Sequence, residues 1–258
     1  MPTWPAPRGV KACTTTRSGG VSLAPYDTLN LAAHVGDRAP AVLENRKRLK
    51  ESLGLPAEPV WLDQVHGTEV IDAADIPPGG VPKADAVYTQ GCGSVCAILT
   101  ADCMPLLLSD RAGKQVAAVH AGWRGLAAGV IETTVAALKI DPAELIAWMG
   151  PAIGPQSFEV GDEVRDIFLQ YDSAAECAFM PSTRRPTTDS ALTPGETSFW
   201  LADIYRLTQR RLAVLGVQHV YGGKYDTFSD NRFYSYRRAN VTGRMATLIW
   251  LDEKFNDR

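Results

Sequence analysis

Short apolar runs bounded by glycine, proline and charged residues alternate along this chain with stretches of helical spacing. Val10 to Thr16 reads as a strand that runs into the turn-forming Ser18-Gly19-Gly20. Residues 40 to 53 read as a helix closed by Gly54 and Pro56. On it Val42, Arg46, Leu49 and Leu53 share one face, so an arginine sits in the apolar stripe. That arginine is either a snorkelling side chain at the stripe's edge or a cation aimed inward at an anion. Val60 to Leu62 and Glu69 to Ile71 read as short strands on either side of His66. Ser94 to Leu99, Met104 to Leu108 and Gln115 to His120 read as three more strands, the last two joined as a hairpin through Asp110 to Lys114. Beyond them the pattern predicts a helix from Leu126 to Leu138, a strand from Ile146 to Met149, helices over 161–171 and 198–214, and a strand from Val217 to Tyr221. Phe233 to Arg238 and Arg244 to Leu251 read as a closing pair of strands.

Helices and strands mix without strict alternation, and a hairpin lies in the middle. The fold class that follows is mixed α/β (α+β), with mixed or antiparallel sheets flanked by helices rather than a doubly wound parallel sheet. No internal repeat or domain boundary interrupts residues 1–258, which read as one domain. The Ser-, Thr-, Pro- and Ala-rich stretch from Ser173 to Thr197 is expected to be a mobile surface loop.

Composition narrows the function classes. The chain is 45% hydrophobic and 21% charged, with a formal net charge of −3, as in an ordinary globular protein. Its arginine pairs are isolated, so binding to nucleic acid through phosphate neutralisation is not expected. The N-terminus has no apolar signal core and no window approaches a transmembrane span, which points to a cytoplasmic protein without a membrane partner. Five cysteines at irregular spacing form no disulfide framework, and Cys92 and Cys96 read as buried, inert thiols.

Three of the remaining residues have the chemistry of a metal site: His66, Cys103 and His120. Two imidazoles and a thiolate suit a zinc-type ion, and three protein ligands leave one coordination position for chemistry. The ligands are 37 and 17 residues apart, far wider than the paired ligands of a structural zinc site, so separate elements must converge. The competing reading is a buried cysteine with two hydrogen-bonded histidines. His34 lies in a polar loop able to line the same pocket, whereas His219 alternates with Val217 and Tyr221 and reads as structural. Gly122, Arg124 and Gly125 form a strand-to-helix turn after His120. This turn is either an anion site for phosphate or carboxylate or a tight turn whose glycines serve packing.

Assembled, these residues resemble the YfiH family, also called the laccase-domain or multicopper polyphenol oxidase family. The resemblance runs from Thr14 to Leu251. It rests on Thr15 to Gly20, Asn30-Leu31 with His34 to Asp37, Glu44 to Arg46, Gln64 to Gly67, Thr100 to Cys103, His120 to Gly125, Gly150 to Gly154 and Phe233 to Arg238. It implies a fold related to the catalytic domain of cytotoxic necrotizing factor. It also implies a zinc-dependent enzyme that phosphorolyses adenosine, inosine and methylthioadenosine and deaminates adenosine. The metal would be held by His66, Cys103 and His120, and the substrates would be purine nucleosides and phosphate. For phosphorolysis, Arg124 with Gly122 and Gly125, aided by Arg46, would hold the phosphate. Asp102 is the candidate proton donor to the leaving base. One departure stands out: where the family often carries Asp-x-Cys-Thr, this chain reads Lys224-Tyr225-Asp226-Thr227.

Residue chemistry tests the alternatives. Four histidines cannot supply a multicopper cluster, and Met104, directly after Cys103, points to the opposite face in extended chain and is a poor axial ligand for copper. Zinc therefore fits better than copper. The usual zinc-deaminase signature is absent. A metal-free cysteine hydrolase using Cys103 and His120, for which the family offers a peptidoglycan-precursor editing role, is the second enzyme reading. A zinc-stabilised binding protein is the non-enzymatic one. A monomer or small homo-oligomer is expected.

Overall fold

The computed structural model describes residues 2–183 and 199–252. The first half of the chain forms β1 (Val10–Thr14), α1 (Ala39–Leu53), β2 (Val70–Asp72), β3 (Ala86–Thr89), β4 (Val95–Thr100), β5 (Met104–Asp110) and β6 (Val116–Ala121). Next come α2 (Trp123–Ala128), α3 (Val130–Leu138), β7 (Leu145–Met149), β8 (Glu159–Gly161), α4 (Asp162–Tyr171) and β9 (Phe179–Pro181). The chain finishes with β10 (Phe199–Ala202), α5 (Ile204–Leu215), β11 (His219–Gly222) and β12 (Met245–Leu251). The main sheet has the order β11-β7-β5-β6-β3-β2, parallel at its two outer pairs and antiparallel between them. β1, β12 and β4 make a second, antiparallel sheet, and β8, β10 and β9 a small third one. The class is mixed α/β, as the sequence pattern indicates.

The two-residue period of the strands builds the layers. Met104, Leu106 and Leu108 of β5 pack on one side with Leu126, Ile131 and Leu138 of α2 and α3, and with Phe168 of α4 and Leu212 of α5. Leu107, Val116, Ala118 and Trp148 face the other way, against Cys96, Ile98 and Ile249 of the second sheet. The far side of that sheet packs with Leu49 of α1 and with Trp61. The order is helices, six strands, three strands, helix. Burying each large apolar side chain contributes about 1.5–3 kcal/mol, and β5 is buried from end to end because both of its faces are covered. No helix among the described residues is long and apolar enough to cross a membrane.

Several elements depart from the sequence pattern. The expected helix 126–138 is two helices, broken at Gly129, whose φ of 98° ends α2 and starts α3. The expected helix 198–214 opens as the strand Phe199–Ala202, and α5 starts only where the Asp203 carboxylate accepts from the Arg206 N–H. Phe233 to Arg238 is not a strand; its backbone donors are taken by the Met245 sulfur, Asp102 and the Ser235 hydroxyl. β12 pairs instead with β1 and β4. Within the expected mobile loop 173–197, Ser173–Ala178 is a 3₁₀-helix and Phe179–Pro181 pairs with β10, while residues 184–198 lie outside the described residues.

Candidate metal centre and cleft

β4 lies in the second sheet and β5 in the main one, so the turn between them crosses from sheet to sheet. Asp102 makes that turn at a φ of 90°. The register sets Met104 opposite Ala121 and Pro105 opposite His120, which brings Cys103 to the end of β6 beside His120. The third arm is the loop before β2. Gln64 ties it to β4, donating from Nε2 to the Leu99 carbonyl and accepting the Leu99 N–H, both at 2.8 Å. His66 follows at a φ of 60°. Such conformations cost a non-glycine residue about 1–3 kcal/mol and persist only where neighbours over-determine them.

The neighbour here is Asp85, fully buried just before β3. Its carboxylate accepts the N–H groups of His66 at 2.9 Å and Gly67 at 2.6 Å, and the Nδ1–H of His120 at 2.8 Å. With Nδ1 carrying the proton, His120 turns the lone pair of Nε2 toward Cys103 and His66. The three ligand atoms lie within 4.8 Å of one another, and His66 Nε2 is 3.7 Å from Cys103 Sγ. The donor set, the tautomer and the mutual approach of the three atoms are those of residues that would hold a metal ion. Gly122 makes the approach possible: a Cβ there would lie 2.7 Å from His66 Cδ2 and 3.2 Å from Cys103 Sγ. Met104 is buried among Leu106 and Leu126 and cannot serve as an axial ligand.

Without a metal the cluster is already charged. Burial pushes the Cys103 thiol up, but His120 and His66 beside it override that and hold its pKa at about 6. Burial lowers His120, and the Cys103 thiolate with Asp85 overrides it to give about 9. The result is a thiolate–imidazolium pair near neutral pH. Asp85 itself stays below the usual carboxylate range, because its hydrogen bonds outweigh its burial.

The cluster opens into a cleft of about 480 Å³, within the roughly 300–1,000 Å³ of small-molecule sites. His34, Arg124, Arg237 and Arg244 line it, as do the aromatic rings of Trp123, Phe158 and Tyr236. Partial desolvation and the nearby Arg244 keep His34 below its ordinary pKa. Arg124 is exposed and stacks 4.3 Å above the Trp123 ring.

Some sequence-derived candidates occupy other roles. Arg46 does not line the cleft; its Nε donates to the Leu31 carbonyl at 3.0 Å and its guanidinium covers Trp61 at 4.2 Å. Gly125 packs rather than binds, since a Cβ there would meet the Gly67 carbonyl at 2.8 Å. Asp102 lines the cleft, yet its two oxygens accept from Thr227 Oγ1, Ser235 Oγ and the Arg237 N–H. His219 lies apart, 3.2 Å from Arg111. The altered Lys224–Thr227 segment remains engaged: Asp226 accepts from the Gly154 N–H and Ser157 Oγ, and Thr227 holds Asp102. Sequence reasoning missed Asp85, Arg237 and Arg244. For Asp85 one sign was present, an acid set between alanines just ahead of an apolar run.

Residues 11–252 match the family described as multi-copper polyphenol oxidoreductase laccase. The chain is 54% identical over 253 residues to a purine nucleoside phosphorylase of Pseudomonas aeruginosa, covering 98% of both proteins. It is 50% identical over 252 residues to the purine nucleoside phosphorylase YfiH of Escherichia coli, covering 97% of this chain and 98% of the relative. Among solved structures, a Neisseria meningitidis protein superposes with a TM-score of 0.87 at 46% identity, covering 97% of this chain and 98% of that one.

Proposed function

We propose, from the premise that this chain belongs to the multi-copper polyphenol oxidoreductase laccase family, that it is a zinc-dependent purine nucleoside phosphorylase. The observation that carries the reading is the convergence of His66, Cys103 and His120 on the lining of a cleft that also has cationic and aromatic side chains. Its relatives named as purine nucleoside phosphorylases support the substrate class, purine nucleosides with phosphate; adenosine, inosine and methylthioadenosine are the nucleosides proposed within it. In phosphorolysis a phosphate oxygen bonds to the anomeric carbon while the bond to the purine nitrogen breaks. The base leaves with the electron pair and takes up a proton.

His66, Cys103 and His120 would hold the ion, which when bound supplies Lewis acidity at an open coordination position. Asp85 keeps His120 in the tautomer that presents Nε2. The aromatic rings of Trp123, Phe158 and Tyr236 make the part of the cleft lining suited to a flat base. The guanidiniums of the cleft attract phosphate and oppose the negative charge of the thiolate. Asp102, with three donors on it, is assigned to positioning the Cys103 turn rather than to protonating the base. Adenosine deamination is proposed as a second reaction of the same cleft. Copper is disfavoured because the chain has four histidines and Met104 is committed to the core.

Incubation of metal-quantified protein with adenosine or inosine, with and without phosphate, tests the proposal. Free base released only with phosphate supports it, and ammonia from adenosine without phosphate reports the deaminase reaction. Absence of base under all conditions overturns the phosphorylase reading. The placement of Cys103 beside His120, where each favours the charged form of the other, supports a second reading. A cysteine hydrolase built on it would keep its activity after chelation and trap an acyl adduct on Cys103.

A further inference from the structure

We infer that Arg244 forms the phosphate subsite of this cleft, gripping the anion through the Nε–Nη2 edge of its guanidinium. The inference rests on the phosphorylase reading above and adds the residue that would recognise the co-substrate. The turn after His120 suggests Arg124 for this task, but Arg124 is exposed and sits over the Trp123 ring at 4.3 Å. Arg237 also lines the cleft, yet its Nη1 and Nη2 donate to the carbonyls of Ser157 and Glu159.

Arg244, whose guanidinium lies 5.8 Å from the Tyr236 ring centre, differs from both in its burial and in its free edge. It is half-buried on the cleft wall, close enough to Cys103 and Asp102 to feel their charge. Its backbone is fixed, the N–H donating to Asn30 Oδ1 at 3.0 Å and the carbonyl accepting from Leu31. Its guanidinium is fixed as well. Nη1 donates to the carbonyls of Thr242 at 2.9 Å and Gly243 at 3.1 Å. Among the described residues no acceptor takes Nε or Nη2, and no carboxylate pairs with the group. A desolvated guanidinium is costly without a counter-anion. The buried Arg211 shows the usual solution, with Glu132 at 2.7 Å. Arg244 feels Asp102 and Cys103 only through space, with no hydrogen-bonded carboxylate among the described residues, and the edge left open is one that bonds two oxygens of a phosphate side by side. Held in plane by two carbonyls, it needs no reorganisation to do so.

The test is calorimetric titration of inorganic phosphate into the metal-loaded protein, with and without the free purine base. Wild type, Arg244→Gln and Arg244→Lys are compared. Wild type should bind phosphate, and Arg244→Gln should weaken it roughly 10- to 100-fold, the worth of a charge-assisted pair of hydrogen bonds. Arg244→Lys retains the charge but not the fork, so it should also lose affinity and keep the fold if the glutamine variant does not. In turnover, the KM for phosphate should rise while that for the nucleoside stays near wild type. Phosphate affinity unchanged in Arg244→Lys, or no phosphate binding by wild type under either condition, overturns the subsite. Phosphate binding that depends on Arg244 in a protein that releases no base upholds the subsite and overturns the phosphorylase reading instead.

Discussion

Nδ1 of His120 lies 2.8 Å from Oδ1 of Asp85, and the same carboxylate accepts the backbone N–H of His66 at 2.9 Å. One buried acid therefore sets both imidazole arms of the cluster. Replacing it with alanine leaves several buried donors unpaired, which should cost roughly 3 kcal/mol or more of stability. Asp85→Asn is the finer probe, because an amide cannot accept on both sides. It should lower metal affinity about 10- to 100-fold. Metal content after dialysis against a graded chelator, alongside thermal melting, checks this. Wild-type metal retention in Asp85→Asn would show that the contact does not organise the ligands.

Gly122→Ala should damage the centre from the other side. The added Cβ would press on His66 Cδ2 at 2.7 Å and on Cys103 Sγ at 3.2 Å. Overpacking of this size costs about 1–3 kcal/mol. Here His66 is exposed and can swing away, so the loss should appear as weaker metal binding with nearly unchanged melting of the metal-free protein. A variant that binds metal normally but melts early would reverse that assignment.

The ligand triad was legible because residue type carries the signal: a cysteine and two histidines announce themselves wherever they stand. Asp85 was not, because its partners are mostly backbone N–H groups 18 to 20 residues away, and backbone donors look alike in every sequence. Arg46 shows a different limit. Helical spacing placed it correctly on the apolar face of α1, but spacing cannot say that Trp61 and the Leu31 carbonyl lie opposite. The strands of the central hairpin were readable from their apolar runs, while β10 was absorbed into a helix because Asp203 was not recognised as its cap.

Cys103 should react as a thiolate in metal-stripped protein. Its pKa of about 6 predicts that alkylation by iodoacetamide, followed by peptide mapping to exclude Cys177, rises through pH 6 and levels off by neutral pH. The linkage has a definite sign. A folded pKa below the unfolded value of 9.0 gives stability that is complete above pH 9 and lost as pH falls toward 6. His120 runs the other way, its contribution complete below pH 6.5 and lost as pH rises through about 9. Across that interval one contribution replaces the other, so reactivity reports the pair better than melting does. Adding zinc should suppress the alkylation and a chelator should restore it. A midpoint near the ordinary thiol value would remove the ion pair from the account.

Asp102 separates a proton donor from a positioning residue, and a double-mutant cycle with Thr227 decides between them. Thr227 Oγ1 donates to Asp102 Oδ1 at 2.6 Å, and Thr227 is fully buried. Thr227→Val keeps the shape and deletes that donor, so it should destabilise the protein by about 1–3 kcal/mol, as for a hydrogen bond to a charged acceptor. If Asp102 works by holding the Cys103 turn at its φ of 90°, Asp102→Asn and Thr227→Val disturb the same support. Their effects on stability and on kcat/KM should then fall short of additive, with a coupling of about 0.5–3 kcal/mol. If Asp102 instead hands a proton to the base, Asp102→Asn should abolish turnover while Thr227→Val leaves kcat near wild type. The pH profile gives an independent reading: a proton donor removes one limb of the kcat curve when it is replaced, whereas a positioning residue lowers the whole curve without changing its shape.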